Sequence, residues 1–140
     1  NRARPAAGWA LIQAGATAPC QLRWRAMIIT IPVDQIQDWD SFHSVFQSTL
    51  GFPDFYGRNM DAWIDCMTYV DDPPSGMTSV SVPKGGVLIL RIDDAPGFQR
   101  RCREQYDALV ECSAFVNHRR MERGAAPVLA LMLNGRYDKP

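Results

Sequence analysis

The sequence lacks several features that would announce a function. No apolar run approaches the roughly 20 residues that a membrane-spanning helix needs, so no membrane partner is expected. The four cysteines form no CxxC pair, and none sits close to either histidine, which removes the zinc and dithiol-redox motifs. There is no excess of positive charge, since the formal net charge is zero. There is no internal repeat and no low-complexity tract. What remains is a 140-residue chain with an ordinary 46% apolar share, enough for one domain around one core.

The zero net charge hides an asymmetry. Residues 1–26 carry Arg2, Arg4, Arg23 and Arg25 and no acid, which leaves a net of −4 on residues 27–140. Within these, residues 34–72 hold eight aspartates against Arg58 alone. A field of one sign attracts a basic partner and speeds encounter. It repels phosphates, which argues against nucleic acid as the direct ligand. A solvated surface that keeps a small protein soluble would look the same by charge alone.

Residues 1–26 are rich in Ala, Gly and Pro and show no sustained period of 2 or 3.6. Gln13, Gly15 and Thr17 interrupt the one apolar stretch, 9–18, so a signal peptide is a poor match. This part reads as a poorly structured extension, either a translated leader or an over-called start, with Met27 as the natural start. The domain is expected over 27–140. Residues 28–33 (IITIPV) read as a strand, weakened at its end by Pro32. Asp38 can cap a helix with apolar positions at Trp39, Phe42, Phe46 and Leu50, stopped by Gly51 and Pro53. Asn59 can cap a second helix running to about Val70, and 71–76 (DDPPSG) breaks the pattern. Residues 87–92 (VLILRI) form a second strand. Phe98, Cys102, Tyr106, Leu109, Cys112 and Val116 mark one long helix ending near Gly124, and 128–133 (VLALML) is a third strand whose unbroken apolar run suggests burial on both faces. Cys66, Cys102 and Cys112 read as small buried thiols, which fits a reducing compartment such as the cytoplasm. The fold class is therefore α/β, with a small three-stranded parallel sheet packed with helices in the order strand-helix-helix-strand-helix-strand.

The second helix is the informative one. At 100° per residue, Met60, Trp63, Ile64, Met67 and Val70 gather on one side, and Asp61, Asp65 and Thr68 on another, with Ile64 at the border. Carboxylates one turn apart repel by a few tenths of a kcal/mol. Asp61, in the first turn, complements the helix dipole. Asp65, halfway along, has no such compensation and is either a solvated aspartate or a functional one. Two carboxylates side by side on an open face would both stay ionised, which suits binding of a guanidinium and not acid/base work. A metal would want a further oxygen or histidine, and His43 and His118 fall on other helices. No metal site, catalytic residue or cofactor is expected.

Residues 52–68 (FPDFYGRNMDAWIDCMT) closely resemble the hallmark segment of the barstar family: apolar-Pro-acid-aromatic-Tyr-Gly-x-Asn-apolar-Asp-Ala, a Trp-containing pair, then Asp-Cys-apolar-Thr. The match extends without gaps back to Met27 and is looser after residue 75. The resemblance implies a small α/β protein that acts inside the cell on a guanyl-specific ribonuclease of the barnase type. It implies a helix that plugs the enzyme, with Asp65 standing where an RNA phosphate would lie, Asp61 as a second charge, and Phe55, Asn59, Ile64 and Thr68 as neighbouring contacts. The expected partner is thus a basic ribonuclease or related nuclease, met by a free monomer.

The sequence also departs from the family. Phe55 stands where barstar has a tyrosine, Ile64 and Val70 where it has tryptophans, and Arg119 and Arg123 near acidic positions. Residues 99–123 hold six arginines against four acids. The reversed charge at Arg119 and Arg123 supports the alternative of an immunity or regulatory module for a different nuclease toxin or other basic protein, whereas phosphate mimicry rests on Asp65 and is compatible with the departures. An enzyme would have to use Cys66 with His43, but a cysteine on an apolar helix flank reads as core, and no cation is at hand to lower its pKa.

Overall fold

A computed structural model describes residues 25–137 of the chain. The expected extension at 1–26 lies almost wholly outside them. Strands β1 (Ala26–Thr30), β2 (Val87–Ile92) and β3 (Leu129–Leu133) form one sheet in the order β1-β2-β3, parallel throughout. Four α-helices connect them: α1 (Trp39–Leu50), α2 (Met60–Thr68), α3 (Ala95–Arg101) and α4 (Arg103–Glu122). Single 3-10 turns occupy Val33–Gln35 and Pro73–Ser75. Among the described residues no helix is long and apolar enough to cross a membrane.

Local chemistry sets the element ends. β1 stops at Thr30, short of the expected Val33, because Pro32 has no N–H for the ladder. Asp38 and Ser41 form a reciprocal capping box on α1: Ser41 N donates to Asp38 Oδ1 at 2.8 Å, and Asp38 N donates to Ser41 Oγ at 3.0 Å. Gly51 closes α1 with φ 68°, and a Cβ there would run into Ser79. Ser79 N and Val80 N then donate to Leu50 O, which pins the loop after α2 to the end of α1.

Two sequence expectations need correction. The long helix is two helices, divided at Cys102, whose backbone is non-helical. The break serves contacts that no local pattern encodes. Arg101 donates to Ile36 O and Val33 O, and the Cys102 thiol donates to Ile36 O. The apolar stripe survives the break, with Phe98, Cys102, Tyr106, Leu109 and Val116 buried, but Cys112 is only half-buried.

Nor is the sheet buried on both faces. Leu88, Leu90 and Ile92 of β2 enter the core, while Val87 and Ile89 are half-covered and Arg91 is exposed. Ile28 on β1 is 53% exposed. The strand order never reverses, and right-handed crossovers in one direction land on one face. An apolar run in such an edge strand reports a half-covered face.

The core cluster joins Phe42, Phe46 and Leu50 of α1, Trp63 and Met67 of α2, and Leu109 and Val116 of α4 to the sheet. Among the described residues the most deeply covered ion pair lies just past the end of α2. The Arg120 fork from α4 meets Asp71 with Nη1–Oδ1 at 3.1 Å and Nη2–Oδ2 at 2.7 Å, and also donates to Thr68 O and Ala126 O. The Asp71 side chain is only 4% exposed and that of Arg120 11%, so removing one partner strands a largely desolvated charge. Asp71→Ala is expected to lose about 3–5 kcal/mol of stability in urea denaturation at neutral pH. Asp40→Ala, which breaks the exposed pair with Arg58, should lose about 1 kcal/mol or less. Similar losses for the two variants would contradict the assignment.

Candidate partner-docking site

α2 is fixed from three sides. Asn59 caps it, its Oδ1 accepting from Ala62 N at 2.8 Å. Its inner face buries Trp63, Cys66 and Met67, with the Trp63 ring edge-on to Phe46 at 5.7 Å between centroids. Its far end is held by the Arg120 fork. On this frame Asp61 and Asp65 stay exposed, and the Asp65 side chain keeps 58% of its surface open. A carboxylate on so constrained a helix is held ready to meet a cation, and little ordering is left for binding to do.

The loop before α2 is held from beneath. Phe52 and Tyr56 are buried with their rings 4.8 Å apart, and Tyr56 Oη shares a 2.6 Å hydrogen bond with Nδ1 of the buried His43. Burial, and then the positive charge of Arg58, hold His43 below its usual pKa, so it is neutral at pH 7. Phe55, between these anchors, points outward at 77% exposure. Arg58 is left-handed, with φ 55°, where a non-glycine residue is strained. Its side chain reaches back to α1, donating to Asp40 O and Oδ1, Ser44 Oγ and Gln47 Oε1.

The residues singled out by sequence therefore separate into two sets. Asp61, Asp65 and Phe55 stand open. Asn59 is exposed at the same surface but spends its side chain on the cap. Ile64 is 9% exposed and Thr68 4%, so neither shares the open face that the helical wheel suggested for Thr68. Thr68 is covered because Arg119 arrives from α4, its Nη2 3.0 Å from Thr68 Oγ1 and 3.4 Å from Asp65 Oδ1. Thr68 turns its own hydroxyl proton to Ile64 O at 2.6 Å.

Sequence reasoning missed part of this surface. Phe115, 46% exposed, lies under the Arg119 guanidinium at 5.7 Å, and Tyr69 at the end of α2 is also exposed. The available signal was an aromatic at position 115, off the buried stripe of its helix. Cys66 is unsuited to nucleophilic work. Burial, and next the charge of Asp65, push its thiol up to about 11, and among the described residues it makes no hydrogen bond to His43. No group of three metal-ligating side chains is present among the described residues.

The fold and this surface define a small α/β protein that presents an acidic helix beside exposed aromatics. The family described as Barstar (barnase inhibitor) matches residues 26–131, and the chain belongs to that family. No curated protein matches it.

Arg58 offers a test of how the loop is held. Arg58→Ala removes the anchors and keeps the left-handed strain, whereas Arg58→Gly removes both. Urea denaturation should find the alanine variant less stable than the glycine variant by about 1 kcal/mol. An alanine variant equal to or more stable than the glycine variant would show that the backbone at this position is not under strain.

Proposed function

We propose that the chain inhibits a basic, secreted-type ribonuclease in the cytoplasm by setting Asp65 into the site where the enzyme holds an RNA phosphate. The observation that carries this reading is the exposed Asp65 carboxylate in the middle of a helix whose inner face and both ends are fixed. A ribonuclease must gather cations around a phosphodiester, and a pre-organised carboxylate satisfies them without offering a bond to cleave. Asp61 adds a second charge one turn away, and Phe55 supplies a rigid aromatic anchor of the kind that dominates such interfaces. Asn59, Ile64 and Thr68 act as supports for these groups in the complex. Membership in a family of barnase inhibitors agrees with this reading.

A second reading is a toxin-neutralising or regulatory module for a different nuclease or other basic protein. Arg119 favours it, because it places a positive charge against the very carboxylate that would act as the plug.

The test is a titration of the wild type and Asp65→Ala into a panel of basic microbial ribonucleases, following RNA cleavage. At least one enzyme should be inhibited by the wild type. For that enzyme Asp65→Ala should weaken inhibition at least 30-fold, about 2 kcal/mol or more, the range for truncating a buried hydrogen-bonded charge pair. Inhibition should also weaken as salt rises. If no ribonuclease is inhibited, or if Asp65→Ala inhibits as well as the wild type, the phosphate-mimic account is wrong.

A further inference from the structure

The docking surface is not uniformly acidic. Arg119 sits beside Asp65 and is held there by three contacts: Thr68 Oγ1 at 3.0 Å, Asp65 Oδ1 at 3.4 Å, and the Phe115 ring at 5.7 Å. Its Nε is sealed from solvent with no acceptor among the described residues, so the side chain is wedged between α2 and α4 and is not a tether free to swing away. Yet its binding capacity is barely used. Only Nη2 is hydrogen-bonded among the described residues, although a guanidinium offers a planar fork made for a carboxylate. Asp65 is half-used in the same way, with Oδ1 turned to Arg119 and Oδ2 without a partner among the described residues.

Docking brings these groups out of water together. A partner cation that takes the free oxygen of Asp65 comes within a few ångströms of a fixed positive charge. A purely cationic partner surface is therefore penalised at this point, and one with an alternating pattern is not. We propose that Arg119 is a specificity-determining residue, and that the partner surface fitting this protein carries a carboxylate facing Arg119 next to the cationic centre that takes Asp65. The proposal rests on the docking reading above and adds the sign pattern that the partner must show.

The experiment uses barnase as the probe. Single acidic substitutions are placed in turn around the rim of its active site, and inhibition of each form is measured with the wild-type chain, Arg119→Ala, Arg119→Lys, Arg119→Glu and Asp65→Ala. At one rim position an acid should tighten inhibition by the wild type at least fivefold. The gain should persist in Arg119→Lys, vanish in Arg119→Ala and reverse in Arg119→Glu. A merely structural arginine would change folding stability but would not couple to one position on another molecule. The proposal is overturned if no rim acid improves inhibition, including the case of no inhibition at all, or if the gain survives in Arg119→Ala. Asp65→Ala keeps the two ideas apart. If it weakens inhibition while no rim acid helps, the docking reading stands and the role of Arg119 falls. If it inhibits like the wild type, the docking reading falls whatever Arg119 does.

Discussion

The largely covered fork of Arg120 on Asp71 fixes the C-terminal end of α2, and the geometry of the open face follows from it. The guanidinium also takes Thr68 O, an acceptor that the end of the helix leaves unpaired. At the other end Asn59 caps the helix, and between the two ends Trp63 and Met67 are sealed in the core. A nine-residue helix would be marginal alone in water. Here tertiary packing supplies most of the stability, and the outer face is left to carry charges. Asp61 and Asp65 repel each other one turn apart, and that small cost is offset by the helix dipole at Asp61 and by Arg119 at Asp65.

The two arginines that meet α2 are adjacent in sequence and opposite in use. Arg120 is largely covered, with its fork paired to Asp71 and its Nε bonded to Ala126 O, and it acts as a structural clamp. Arg119 lies one position nearer the surface, makes one long contact with Asp65, and keeps donors in reserve. A 100° step along α4 separates a group that holds the fold from one that reaches the open face of α2 beside Asp65. The same division runs through the preceding loop, where Tyr56 is locked under α1 by His43 while Phe55 beside it is turned out.

Much of this was legible in the sequence because it is local. The spacing of Trp39, Phe42, Phe46 and Leu50, the caps at Asp38 and Asn59, and the stop at Gly51 each encode their element within a few residues. The exposed positions of Asp61 and Asp65 followed from the helical period, and the long mixed motif at 52–68 pointed to the family. What escaped depends on contacts between distant segments. The break at Cys102 answers to carbonyls near residue 36, with no glycine or proline at the break to mark it. The burial of Thr68 depends on an arginine 51 residues away. The half-open sheet depends on strand order, which the apolar run at 128–133 does not carry.

Carboxylate footprinting of the chain, alone and mixed with the basic ribonuclease that responds most strongly in the titration, tests the central claim most directly. Carbodiimide labelling should modify Asp61 and Asp65 in the free protein and lose both in the complex. Asp34 and Asp94, exposed near the strand ends of the sheet, should keep their reactivity. Protection of Asp34 and Asp94 with Asp65 still reactive would contradict the account and move the docking surface to the sheet.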